Sequence, residues 1–175
     1  RLAIARSGAI GPLMAGQPPA MVLERAAAAI TSREQTVASV LLVDSDPYAL
    51  QAATLVLEQA GLRVLALGEP LSFWETLEQV QPDLVVTGAA MAGVSGVDLC
   101  RALRADPRWR ELPVILMASA DEASLAKEAY RAGSDDLVRK PVQREDLVSR
   151  VENRLRRSRQ QRRQIEFEEQ RRQLA

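Results

Sequence analysis

A doubly wound parallel α/β sheet is the fold this sequence predicts, and three features predict it. Short aliphatic runs recur between residues 37 and 155, and each is followed by a stretch with helical spacing. The runs are apolar throughout rather than alternating, which is the pattern of strands covered on both faces. Glycines stand where two of the helices should end, at Gly61 and Gly133, the position that favours a left-handed cap.

Taken in order, Val40–Val43 is the first predicted strand and Pro47–Ala60 the first helix. Leu62–Leu67 and Leu71–Val80 make the second pair, and Leu84–Thr87 and Val97–Ala105 the third. Pro113–Met117 is the fourth strand. The helix after it spans Asp121–Ala132, with Ser119 and Glu122 as a capping box at its start. Leu137–Arg139 is a short fifth strand, and a last helix begins near Gln143. Five such units with right-handed crossovers favour the flavodoxin-like strand order 2-1-3-4-5; a closed barrel would need eight. In that order the loops after Val43 and Thr87 meet at the topological switch point, where an open α/β sheet carries its chemistry.

Two segments flank the predicted domain. Residues 1–36 open with a Gly-, Ala- and Pro-rich stretch, Arg1–Pro19, which reads as a linker or as the end of an upstream domain. Ala20–Ile30 is alanine-rich and follows a proline pair, so a short helix is predicted there. The chain opens on Arg rather than Met, which suggests a piece of a longer protein. Residues 156–175 extend the last helix. Seven arginines stand between Arg150 and Arg163 against one acid, Glu152, and Glu166, Glu168 and Glu169 follow. A solvated helix with i,i+4 ion pairs fits this stretch. A coiled-coil linker fits Val151, Leu155 and Ile165 but not Ser158, Arg162 and Glu169 on the same seam.

Composition removes several functions. Net charge is zero, which argues against a dedicated binder of nucleic acid or acidic membranes. No apolar run approaches the ~20 residues that span a bilayer. A single cysteine, Cys100, excludes a disulfide framework within the chain and suits a reducing, cytoplasmic compartment; on its apolar helix face it reads as a small core residue. Histidine is absent, and with it the commonest general base and metal ligand. Nothing pairs a nucleophile with a base, so no enzyme, cofactor or metal is predicted.

Four strand ends converge on the switch point: LLVDSDP at 41–47, VVTGAAMAG at 85–93, VILMASA at 114–120 and DDLVRKP at 135–141. Together with AGSDD at 132–136 and LPVI at 112–115, they resemble the receiver domain of two-component response regulators, over about Val37 to Leu155. The resemblance implies phosphoryl transfer to an aspartate at the end of the third strand. It further implies an acidic pair that holds Mg2+, a hydroxyl ending the fourth strand and a lysine ending the fifth. By position, Asp44 matches the first acid, Ser45 the second, Gly88 the acceptor, Ala118 the hydroxyl and Lys140 the lysine. Leu137 stands where an aromatic switch residue is frequent, and the Lys140–Pro141 bond should be cis, as in the receivers it resembles. The acceptor, one metal carboxylate and the hydroxyl are therefore replaced, and too few oxygen ligands remain for Mg2+.

Neighbouring polar groups do not stand in for them. Asp83 lies at the opposite end of the strand, Thr87 and Ser119 are each one residue out of phase with the pleat, and Asp46 belongs to the first turn of a helix. Asp44 is expected to pair with Lys140. The resemblance then implies a receiver unable to accept phosphate, acting as an adaptor or dimerisation module in a multidomain signalling protein, for example ahead of a diguanylate cyclase (GGDEF) domain. Its dimer surface would be the fourth helix, fifth strand and fifth helix, with Arg131, Asp135, Asp136, Arg139 and Arg144 setting the register. Its partners would be proteins: a second copy, through this face or the C-terminal helix, and neighbouring domains. Two other readings stay open: a small-ligand sensor whose pocket is the space left around Gly88, Ala89, Ala90, Ala92, Gly93 and Ala118, with Lys140 meeting an anionic ligand, and a receiver with an unrecognised acceptor.

Overall fold

The structure is a computed structural model that describes residues 37–119 and 124–174. The predicted helix Ala20–Ile30, the Glu122 half of the capping box and the first turn at Asp121 lie outside the described residues. Among the described residues, seven strands and five α-helices follow from Val37. They are β1 (Ser39–Val43), α1 (Pro47–Gln59), β2 (Arg63–Leu67), α2 (Phe73–Val80), β3 (Leu84–Gly88), β4 (Ala90–Met91), β5 (Val94–Ser95), α3 (Gly96–Ala105), β6 (Val114–Ala118), α4 (Leu125–Arg131), β7 (Asp136–Arg139) and α5 (Arg144–Leu174).

The main sheet is parallel, in the order β2-β1-β3-β6-β7, which is the predicted 2-1-3-4-5 arrangement with the small strands β4 and β5 set aside. Every residue of β1, β3 and β6 is buried, as their uniformly apolar sequences require. Alternate residues feed two cores. Leu41, Val43, Val85, Val114 and Leu116 pack with Phe73 and Leu77 of α2 and Leu99, Cys100 and Leu103 of α3. Val40, Leu42, Leu84, Val86, Ile115 and Met117 pack with Ala53 and Leu57 of α1 and Leu147, Val151 and Leu155 of α5. The edge strand β2 is only half covered, with Arg63, Leu65 and Ala66 exposed.

Local signals explain the helix ends. Asp46 accepts from the Tyr48 N–H at 2.9 Å, so it is the N-cap of α1, one step before the first-turn position expected for it, and Pro47 takes N1. Gly61 and Gly133 adopt φ of +84° and +86° beyond α1 and α4, as predicted. The predicted second helix begins instead with a 3-10 turn at Pro70–Ser72, and α2 ends on Gln81 at φ +47°. The Lys140–Pro141 bond is cis.

α5 runs for 31 residues, about 46 Å. No Gly or Pro interrupts it, so nothing ends the helix where the domain does. Its buried residues stop at Leu155, and Ile165, Phe167 and Leu174 are exposed. At the amino end of the sheet it still touches the domain: the Gln161 amide donates to Glu111 at 3.4 Å, and Arg162 lies 3.8 Å from Asp83.

Candidate functional site

The switch point is built from the carboxyl ends of β1, β3, β6 and β7. Asp44 follows β1 and is almost completely buried, at 1% exposure. Its Oδ1 accepts from the Asp46 N–H at 2.9 Å. Its Oδ2 lies 2.5 Å from Lys140 Nζ, in an ion contact with no well-aligned donor beside it. Lys140 is set at the end of β7 by its N–H, which donates to Ala118 O at 2.8 Å. The pairing expected of Asp44 and Lys140 is therefore present.

Around the pair, the positions that the resemblance singles out are apolar or turned elsewhere. Ser45 Oγ accepts from the Ala92 N–H at 3.0 Å, tying the loop after β1 to the loop after β3. Ala118 is buried at the end of β6. Thr87 is buried, and its hydroxyl bonds to Gly88 O at 3.3 Å and reaches Met91 Sδ at 3.7 Å. Asp83 lies at the far end of β3, where its carboxylate accepts from the Ser39 N–H at 2.8 Å and hydroxyl at 3.2 Å.

The space beside Gly88 is filled. A Cβ there would stand 2.7 Å from Asp44 Oδ2 and 3.0 Å from Met91 Cγ. At Gly88 itself the carboxylate and the methionine close in over the glycine, so the space that the ligand-sensor reading places there is occupied. The donor set also does not fit Mg2+. Among the described residues one carboxylate, already claimed by an amide and an ammonium group, stands where the ion needs near-octahedral oxygen ligands.

Residues 89–96, which the sequence leaves as the loop between the third strand and the third helix, fold into a small hairpin. β4 pairs antiparallel with β5, Ala90 opposite Ser95 and Met91 opposite Val94. The Gly96 N–H donates to Ala89 O at 2.9 Å, and Ser95 Oγ caps α3 by accepting from the Asp98 N–H at 3.3 Å. Gly96 is buried against the end of β3, and a Cβ there would lie 1.9 Å from Gly88 O. Sequence reasoning passed over it as one more loop glycine.

The five residues expected to set a dimer register fall into two groups. Asp135 accepts from Arg104 Nη2 and from the Val114 N–H, both at 2.8 Å. Asp136 is held by Arg150 and lies 3.5 Å from Arg154, and Arg144 donates to Gln59 at 2.6 Å. Arg131 and Arg139 are exposed, and among the described residues their guanidinium groups have no partner. Arg104 itself was missed. It donates to Gly133 O, Arg110 O and Leu112 O at 2.8–2.9 Å besides Asp135, so one side chain satisfies two loop ends at the base of the sheet.

Cys100 is fully buried, and its thiol donates to Ala132 O at 3.4 Å. Burial pushes this thiol up, and Arg104 opposes the shift more weakly. The thiolate is the reactive form, so Cys100 should resist Ellman's reagent in the folded protein and react fully in denaturant. Complete labelling within minutes under native conditions would contradict its placement.

Comparison with known proteins agrees with this geometry. Residues 40–152 match the family model of the response regulator receiver domain. Protein RcaC of Microchaete diplosiphon is 34% identical over 120 residues, covering 69% of this chain and 18% of that protein. The DNA-binding response regulator MtrA of Mycolicibacterium smegmatis is 32% identical over 119 residues, covering 68% of this chain and 51% of that one. The chain thus spans about half of the MtrA relative and less of RcaC. A putative response regulator from Chloroflexus aurantiacus superposes with a TM-score of 0.66 at 27% identity, covering 69% of this chain and 98% of that structure. No helix among the described residues is long and apolar enough to cross a membrane. With the receiver model matching well over half its length, and the sheet order and strand-end lysine in place, this chain belongs to the receiver domain family of two-component response regulators.

Proposed function

We propose that this receiver has lost phosphoryl transfer and serves as an adaptor or dimerisation module within a larger signalling protein. One observation carries the reading: the acceptor position is Gly88, and the space a side chain would use there holds the Asp44 carboxylate and Met91. Glycine offers no oxygen for a phosphoryl group. Phosphoryl transfer to a carboxylate rests on positioning and charge neutralisation around the moving group, and here the strand-end lysine, Lys140, is already neutralised by Asp44.

Incubation with acetyl phosphate and Mg2+, followed by intact-mass analysis, should show no phosphoryl increment. Gly88→Asp alone should remain unmodified as well, because the new side chain meets Asp44 and gains neither a second metal carboxylate nor the hydroxyl absent at Ala118. Stoichiometric phosphorylation of the native chain would overturn the proposal and point to the unrecognised-acceptor reading.

For self-association, the face of α4, β7 and α5 offers Arg131 and Arg139 among its unpaired charges, and α5 offers its exposed end. An output domain beyond the arginine-rich helix, a diguanylate cyclase among the candidates, is proposed by analogy with the receivers this chain resembles. Nucleic-acid binding is not assigned to these residues, whose net charge is zero.

A further inference from the structure

At the opposite end of the sheet from the switch point, α5 passes the turns after α3 and leaves a cleft of about 290 Å3. Arg104 and Arg110 line it from the domain body, and Arg154 and Arg157 from α5, with the carboxylates of Asp135 and Glu111 between them. Two of the arginines are committed. Arg104 holds Asp135 and three backbone carbonyls, and Arg154 lies 3.5 Å from Asp136. Glu111 accepts from the Gln161 amide.

Arg110 and Arg157 differ. Both are exposed, and among the described residues neither guanidinium has an ion-pair or hydrogen-bond partner. They stand on separate elements and face one cavity. Four arginines against two carboxylates leave the lining with two positive charges in excess, and repulsion between them opposes the seating of α5 on the body. An anion in the cleft would convert that repulsion into a bridge.

We propose that this cleft binds a small phosphate-bearing anion between Arg110 and Arg157. The planar fork of a guanidinium matches phosphate oxygens in bidentate fashion, whereas a lysine offers only a point charge. No aromatic side chain lines the cleft, so a nucleobase would find no stacking surface and recognition falls on the phosphates. The volume lies at the small end of ligand sites, which suits pyrophosphate better than a whole nucleotide. Occupancy would pin α5 just where it leaves the domain, giving this chain an input that bypasses the switch point. The inference stands apart from the reading of Gly88 and survives its failure.

Titration calorimetry of the whole chain with pyrophosphate, at fixed ionic strength, tests it, with ATP and sulfate as parallel arms. One pyrophosphate should bind, and Arg110→Gln and Arg157→Gln should each weaken it about tenfold or more, as expected for losing one charge-assisted fork. Arg156→Gln, an exposed neighbour outside the cleft, should leave binding unchanged. Tighter binding of ATP that is lost in the same two variants would support the site and name a nucleotide as the source of its phosphates. ATP binding that is equal or weaker would support the site and name the free anion. No heat from pyrophosphate or ATP, or equal weakening by Arg156→Gln, would overturn the proposal, as would sulfate binding as tightly as pyrophosphate.

Discussion

Replacing Lys140 by methionine should cost the folded domain about 3 kcal/mol, because it strips the partner from a buried charge. Asp44 is 1% exposed, and Lys140 Nζ at 2.5 Å is its only ion-pair partner among the described residues. Its other oxygen keeps the Asp46 N–H, but one amide does not compensate a full charge taken out of water. Lys140 retains partial contact with solvent, at 15% exposure, so the loss belongs at the lower end of the range for broken buried pairs. Urea denaturation followed by circular dichroism measures it. The double variant Asp44→Asn with Lys140→Met should recover at least half of the loss, since the uncompensated charge is then gone while the amide acceptor stays. A single-variant cost below about 1 kcal/mol would mean that the pair contributes no more than an exposed surface bridge, and the corner would then not be a locked ion pair.

That pair orders the rest of the corner. Lys140 is held by Asp44, while Ser45 is turned to the backbone of the loop after β3 and Met91 covers Gly88. The groups that remain are thus bonded to one another, and the site is closed by its own residues.

Much of this was legible beforehand for physical reasons. The strands are buried on both faces, so their sequences are apolar without a break, and parallel order follows from the helices between them. The pairing of Asp44 with Lys140 could be anticipated because strand ends at a switch point are brought together by topology alone. Other features had no local signature. Arg104 acts through carbonyls of Arg110, Leu112 and Gly133, and no pattern of side chains announces backbone acceptors. The β4–β5 hairpin has strands of two residues each, too short for periodicity to show. The length of α5 beyond the domain could be read from its lack of Gly and Pro, but its contacts with Asp83 and Glu111 depend on how the helix crosses the base of the sheet. The charges expected to set a dimer register show the same limit. Asp135, Asp136 and Arg144 look free in sequence and are bonded within the fold.

Gly96→Ala should be the other costly single change, at about 3 kcal/mol, the upper end for overpacking. The added methyl would stand 1.9 Å from Gly88 O and 2.9 Å from its carbonyl carbon. These are backbone atoms at the end of a fully buried central strand, so no rotamer change can relieve the overlap, unlike at Gly88, where the obstructing atoms belong to side chains. The chain can make room only by lifting α3 or the hairpin, which breaks the bond from the Gly96 N–H to Ala89 O. Ser45 should report the event, because its hydroxyl holds Ala92 at the hairpin turn. Native-state hydrogen exchange would then show the Ala92 and Gly96 amides losing protection together in the variant, while amides of β2 and α1 keep theirs. A loss below about 1 kcal/mol in urea denaturation, with both amides still protected, would show that the backbone has slack at this contact. It would follow that the closed corner over Gly88 is held by the Asp44–Lys140 pair rather than by the packing of α3 beneath it.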